Sequence, residues 1–134
     1  MKITYNFGIL KNKLIGIELN GEIWFNVLKN FKQNGENIFL KFENSTLQIN
    51  CQHFLHMKVV EKNNVVCFVE SNNDKLINGM FLYYMYNTQG IPYDISKDLL
   101  EEKGFEVDEE GFNILYKTNQ DLSKGTFLNK DAFS

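Results

Sequence analysis

Four residues have the chemistry of zinc ligands: Cys51, His53, His56 and Cys67. Zinc takes thiolates and imidazoles that converge on one point. On an unbroken strand Cys51 and His53 share a face while His56 turns to the other. The set therefore works only if the chain bends near Phe54. Without the bend the run is a sheet face with polar punctuation, and neither histidine has a visible acid–base partner. Asp98, Glu101, Glu102, Asp108, Glu109 and Glu110 supply paired carboxylates of the kind glycosidases use. They fall at predicted helix starts and on a short exposed helix, where the positive end of the helix dipole favours acids. Capping and solubility account for them. Tyr83, Tyr84, Tyr86 and Tyr93 could stack bases or line a pocket. Their helical spacing beside Met80, Phe81 and Met85 equally suits a core whose hydroxyls reach its rim. The chain has no glycine-rich phosphate loop followed by Lys-Ser or Lys-Thr, no Gly-x-Ser-x-Gly elbow and no His-Glu-x-x-His. The expectation is a protein without catalytic activity, cofactor or metal.

Composition narrows the classes further. The 134 residues are 43% apolar and 14% aromatic, with 12 Phe and 6 Tyr, which excludes a disordered chain and suffices for a core. No apolar run approaches the ~20 residues that span a bilayer, and the first residues carry no signal-peptide pattern. The expectation is a cytoplasmic protein with no membrane contact. Two cysteines are too few for a disulfide scaffold, so both read as free thiols. The net charge of −3 divides unevenly along the chain. Residues 1–73 carry more Lys than acids, and residues 74–134 far more acids than Lys. All the basic side chains are Lys; the chain has no Arg. Arginine is the usual bidentate grip on phosphate and guanine. A tight, strongly salt-dependent nucleic-acid binder is not expected from this balance.

The elements that would carry these residues follow from periodicity. Ile3, Tyr5, Phe7 and Ile9 alternate, predicting a strand over 2–9 and a hairpin over 2–19 with Leu14 to Leu19. Asn20-Gly21 has the composition of a hairpin turn. Trp24, Val27, Leu28 and Phe31, at i, i+3, i+4 and i+7, favour instead a helix over about 21–33, capped by Asn20 and ended before Gly35. Residues 38–42 alternate as a strand, and Asn44-Ser45 makes a turn. From Leu47 to Val59 the odd positions are apolar or half-polar, predicting one long strand or two sharing a bend. Val65 to Val69, apolar on both faces, reads as a central strand. Ser71 to Asp74 begins a helix over about 75–88, ended by Gly90. Pro92 forces Ile91 out of the helical region. Ser96 or Asp94 caps a helix over 96–103, and Asp108 caps a fourth over about 109–122. Residues 125–134 read as an irregular tail. This predicts an α+β fold: an antiparallel sheet of about five strands with one inserted helix, packed against a C-terminal three-helix unit. The β-rich half spans 1–73 and the helical unit 74–124.

The stretch from about Met80 to Asp121 resembles alanyl-tRNA synthetase. The resemblance rests on Tyr86, Thr88, Gly90, Pro92 and Asp94, then Gly104, Val107, Asp108, Gly111 and Phe112, in order and without a gap. The family carries here a Tyr-Gly-Phe-Pro-x-Asp turn, a short helix, and a Val-Asp-x-x-Gly-Phe helix start. This chain departs from that pattern at Asn87, Gln89 and Ile91. Nothing before about residue 75 resembles the family. In the family this segment lies in the helical tRNA-recognition region, and the acid of the turn is associated there with the acceptor stem; carried over, that acid is Asp94. The family's aminoacylation site grips ATP with arginines, which are absent here. Its editing site uses His-x-x-x-His, and His53 and His56 are one residue too close. A weaker resemblance links Ile17 to Phe25 with the opening strand–turn–helix of phage antirepressor domains, against which the charge balance argues.

Two function classes follow. One is a binding protein that contacts a tRNA acceptor stem, with Asp94 reading, Lys97 touching phosphate, and Tyr86 and Tyr93 in support. The other is a small acidic protein-interaction module, such as an immunity or inhibitor protein of a mobile element. It would present Asp98, Glu101, Glu102, Asp108, Glu109 and Glu110 to a basic protein partner.

Overall fold

Paired asparagines and glycines at positive φ set the sheet register. Asn20 and Gly21 sit at φ 55° and 81°, and Asn63 and Asn64 at 52° and 65°. Consecutive residues in this region make tight turns whose twist matches a hairpin. The first turn joins β1 (Leu14–Leu19) to β2 (Glu22–Val27), and the second joins β6 (Lys58–Lys62) to β7 (Val65–Val69). The computed structural model describes residues 4–132, with side chains to residue 121. Between the two hairpins lie β3 (Asn30–Asn34), β4 (Asn37–Lys41), β5 (Thr46–Asn50) and α1 (Cys51–Leu55). After them come β8 (Leu76–Ile77), α2 (Gly79–Asn87), α3 (Tyr93–Glu102), β9 (Glu106–Val107) and α4 (Glu109–Ala132).

The fold is α+β and ends in the expected three helices, but its strands divide among three sheets. One has the order β2-β1-β7-β6, one β3-β4-β5, and one β8-β9. β7 is central, as its double-sided apolarity predicts, and pairs parallel with β1. The helix expected over 21–33 does not form, and β2 and β3 occupy that stretch. Asn20-Gly21 is the hairpin turn, and Trp24 is 64% exposed rather than on a buried helix face. The strand–turn–helix read at Ile17 to Phe25 is thus a β-hairpin. The predicted 2–9 strand is also absent over the described residues, which run without regular structure into a 3₁₀ turn at Gly8–Leu10. Its alternation was a burial signal: Tyr5 and Phe7 are buried and Asn6 is exposed. The 2–19 hairpin is therefore replaced by β1–β2.

The long strand over 47–59 is interrupted by α1. Asn50 caps that helix, its Oδ1 accepting from Gln52 N and His53 N. The helix expected from residue 75 begins at Gly79, because Asn78 Oδ1 accepts from Met80 N at 2.6 Å and β8 intervenes. Asn78 is fully buried and ties α2 to the end of α1: its N donates to Leu55 O at 2.8 Å, and its Nδ2 to Phe54 O at 3.1 Å. α4 continues to Ala132, past the predicted end near 122 and through most of the stretch read as an irregular tail; residues 133–134 lie outside the described residues.

The core forms where the two larger sheets meet the helices. Phe7, Phe54 and Phe68 are fully buried and mutually in contact, with ring centroids 5.2–5.8 Å apart. Tyr5 meets Phe54 edge-on at 4.8 Å. Ile15, Ile17, Val59 and Val66 come from one sheet, Ile38, Leu40 and Ile49 from the second, and Met80, Leu82, Phe112 and Leu115 from α2 and α4. Burying each such side chain contributes roughly 1.5–3 kcal/mol.

Candidate nucleic-acid interface

Pro92 positions the candidate site. Its φ of −55° and ψ of 147° hold the chain extended, so α3 begins at Tyr93 rather than at Ser96. No side chain caps this end; neither Asp94 nor Ser96 does so. Ser96 is buried, and its hydroxyl has no hydrogen-bond partner among the described residues. Asp94 stands exposed in the first turn, where the helix dipole favours its charge. Its carboxylate has no hydrogen-bond or ion-pair partner among the described residues. Lys97, one turn on, lies 3.8 Å from Glu109 Oε1, an exposed contact of little energetic weight.

Tyr93 and Tyr86 border an aromatic cluster centred on Phe112. The Tyr93 ring stacks on Phe112 at 4.5 Å and 29°. Tyr86 meets Phe112 edge-on at 5.7 Å and Tyr116 at 5.7 Å. Tyr93 Oη donates to Glu109 Oε1 at 3.1 Å. Burial first, then the Glu109 carboxylate, pushes the Tyr93 phenol up from its ordinary range. The Tyr86 phenol is also raised, chiefly by hydrogen bonding with Tyr116. α2 is less covered than its composition predicts: Met80 to Tyr83 are buried, while Tyr86 is 38% exposed. Asp94, Lys97, Tyr93 and Tyr86 therefore belong to one region built by α2, α3 and the start of α4. Tyr84 lies apart, its hydroxyl accepting from Gln89 Nε2 at 3.0 Å.

Asp108 does more than cap a helix. It is 2% exposed. Its Oδ1 accepts from Gly111 N at 3.0 Å, and its Oδ2 from Val59 N at 2.9 Å and Gly79 N at 3.0 Å. One carboxylate thus joins α4, β6 and α2. Burial raises its carboxyl above the ordinary range, opposed by those N–H groups and by Lys58. This corrects its place in the expected acidic surface, which comprises Asp98, Glu101, Glu102, Glu109 and Glu110 only. The Val59 contact lies 49 residues away, and no local pattern announces it. Gly79 and Gly111 allow the close approach. A Cβ on Gly79 would overlap the backbone of Gly111 and Phe112, and one on Gly111 would overlap the Asp108 carboxylate.

The candidate zinc residues separate. Cys51 begins α1, and His53 Nε2 lies 3.5 Å from Glu70 Oε2. His56 Nδ1 is 2.8 Å from Leu76 O, and Cys67 is buried in β7. Among the described residues no three of His, Cys, Asp and Glu assemble as a metal site, and no helix is long and apolar enough to cross a membrane.

Comparison with known proteins finds similarity over part of the chain. Alanine–tRNA ligase 1 of Lachnoclostridium phytofermentans is 41% identical over 54 residues, which is 40% of this chain and 6% of the ligase. The alanine–tRNA ligase of Acetivibrio thermocellus is 35% identical over 59 residues, 44% of this chain and 7% of the ligase. That of Borreliella afzelii is 38% identical over 52 residues, 39% of this chain and 9% of the ligase. The matches thus cover less than a tenth of these relatives' length. No family model and no solved structure matches the chain. About two-fifths of this protein is therefore similar to a short segment of alanine–tRNA ligases.

Proposed function

We propose that this chain is a non-catalytic tRNA-binding protein whose helical unit, residues 74–124, lays the start of α3 against an acceptor stem. The observation that carries the reading is Asp94: exposed, unpartnered, fixed by Pro92 at a helix start, and within the stretch that resembles the ligases. A carboxylate accepts hydrogen bonds from base amino groups and 2′-hydroxyls, which the wide, shallow minor groove of an RNA helix displays. Tyr93, its neighbour in the chain, and Tyr86 belong to the Phe112 aromatic cluster. Lys97 supplies a single positive charge, shared with Glu109. The surrounding acids repel phosphate, so recognition rests on base and ribose contacts more than on charge neutralisation.

Filter binding of the full chain to a tRNA pool at low salt tests this. Measurable binding that Asp94→Ala weakens about tenfold, the loss of one good polar contact, is the expected result. No binding at low salt would sink the proposal.

A second reading has its own observation. Ile95 and Leu99 are 50% and 53% exposed on α3, among Asp98, Glu101 and Glu102. An apolar pair ringed by acids suits a basic protein surface. Stoichiometric capture of one protein, lost in Leu99→Glu and unaffected by ribonuclease, would favour it over tRNA.

A further inference from the structure

The four-stranded sheet has two edges, β6 and β2, and they are finished differently. Along an antiparallel pair, residues that exchange both backbone hydrogen bonds alternate with residues whose backbone groups face away. At the β6 edge the Asn63-Asn64 turn closes on Lys62 and Val65. Lys58 and Val60 therefore bond to β7, and Val59 and Glu61 turn their backbone outward. The Asp108 carboxylate accepts from the outward Val59 N–H. β6 also carries Lys58, Glu61 and Lys62, charges of the kind that guard an edge against further pairing. At the β2 edge the Asn20-Gly21 turn closes on Leu19 and Glu22, and just past the other end Leu28 N donates to Lys13 O. Both ends set the same phase: Glu22, Trp24 and Asn26 bond to β1, and Ile23, Phe25 and Val27 face outward. The Val27 N–H is met by Asn26 Oδ1 at 2.8 Å. Those of Ile23 and Phe25 have no acceptor among the described residues. β2 contains no Lys and no Pro, its one charge is Glu22 at the turn, and Trp24 and Phe25 are exposed. Beside this unguarded edge a cleft of about 220 Å³ opens between β2 and the turn joining β4 to β5. Its lining includes the buried Ile15 and Ile17 with Trp24, Phe42 and Leu47, and none of its lining residues is charged.

We propose that the β2 edge and this cleft receive an extended segment of another protein, which adds to the sheet as a fifth strand and seats one apolar side chain in the cleft. The backbone identifies the occupant as a strand, because the free N–H groups of Ile23 and Phe25 repeat at the two-residue spacing of a ladder. In strand addition the main-chain bonds supply affinity, and pockets for alternate side chains supply specificity. The cleft identifies the side chain. It is smaller than the roughly 300–1,000 Å³ of small-molecule sites, it offers a charged group no partner, and it suits a single apolar residue. Trp24 and Asn26 pair with Ile17 and Ile15 and so share their face of the sheet. An incoming strand presents every second side chain to that face, beside Trp24, and the intervening ones beside Ile23 and Phe25. A second copy is a poor occupant, because β2 turns Glu22, Trp24 and Asn26 toward the cleft side, two of them polar. No residue of the helical unit lines the cleft, so this site stands apart from the acceptor-stem reading.

Panning the immobilised full chain with a phage-displayed library of random linear peptides tests this. Trp24 is the chain's only tryptophan, so its fluorescence reports on the cleft directly. Enriched peptides should alternate apolar and polar residues, and a synthetic copy should shift the Trp24 emission to the blue. N-methylating alternate backbone nitrogens, those on the bonding side of the peptide, should weaken binding at least about fivefold. N-methylating the intervening ones should matter less. Phe25→Pro removes an outward N–H at a position where an edge strand tolerates proline, and should weaken binding similarly. Thr46→Glu, an exposed change in the cleft lining, sets a charge there and should do the same with an unchanged circular dichroism spectrum. No enrichment over uncoated wells, or full binding by either folded variant, would overturn the proposal. A wild-type dimer in sedimentation equilibrium that Phe25→Pro dissolves would overturn it too, by giving the edge to a second copy.

Discussion

Removing the Asp108 carboxylate should unfold the joint between sheet and helices. Asp108→Ala leaves three buried backbone donors, on Val59, Gly79 and Gly111, without an acceptor. Each unpaired buried N–H costs roughly 1–3 kcal/mol. Relief of a desolvated charge offsets part of this, so the net loss should be about 2–5 kcal/mol. That is a large share of the 5–15 kcal/mol typical of a domain. Asp108→Asn keeps one acceptor but turns an amide NH₂ toward a backbone N–H, and should cost about 1–3 kcal/mol. Urea titration followed by circular dichroism reads both. With a slope of about 2 kcal/mol per molar, a 3 kcal/mol loss moves the midpoint down by roughly 1.5 M. A midpoint for Asp108→Ala within about 0.3 M of wild type, or an Asn variant weaker than the Ala variant, would refute the accounting.

The same carboxyl predicts a pH dependence. Because burial raises its folded value above the ordinary 3.8, the folded state binds this proton more tightly. The stabilisation from protonation is fully present below that value and is lost as pH rises through the raised one. The stability gap between wild type and Asp108→Ala should therefore narrow as pH rises from the ordinary carboxyl range through the raised value, read in parallel urea titrations. Gly79→Ala should cost about 2–3 kcal/mol by overlap with the start of α4. Gly35→Ala, at φ 61° with open space around it, should cost only about 1–2 kcal/mol. Equal midpoints for the two variants would contradict the close crossing at Gly79.

The helical half was the more legible because its signals are local. Gly90 and Gly104 stop helices at φ 71° and 88°, Pro92 fixes a turn, Asp108 caps, and Phe112 packs. Each of these duties depends on near neighbours in the chain. The β half depends on partners far away. Trp24, Val27, Leu28 and Phe31 share a helical period by coincidence of two strands, and what decides against a helix is the pairing of β2 with β1. The odd-numbered apolar series from Leu47 to Val59 runs through α1 unbroken, so the helix is invisible to periodicity. Asn50 and Asn78 were the readable signs, each an asparagine cap preceding a helix. At the candidate site, the turn and Asp94 were legible. The link from Lys97 and Tyr93 to Glu109 was not, because it crosses between helices.

The two-stranded β8–β9 pair has a topological consequence. Leu76 and Ile77 lie beside Glu106 and Val107, so the chain leaves and returns at one neck. Residues 78–105 form a closed excursion whose far end, around Gly90 and Pro92, can change length without disturbing either larger sheet. Beyond packing contacts, polar contacts tie the β half to the unit: the Val59 N–H to Asp108, the Phe54 and Leu55 carbonyls to Asn78, His56 Nδ1 to Leu76 O, and Lys58 to Glu110. The helical unit is thus joined to the β half at a few named polar points as well as through the shared core.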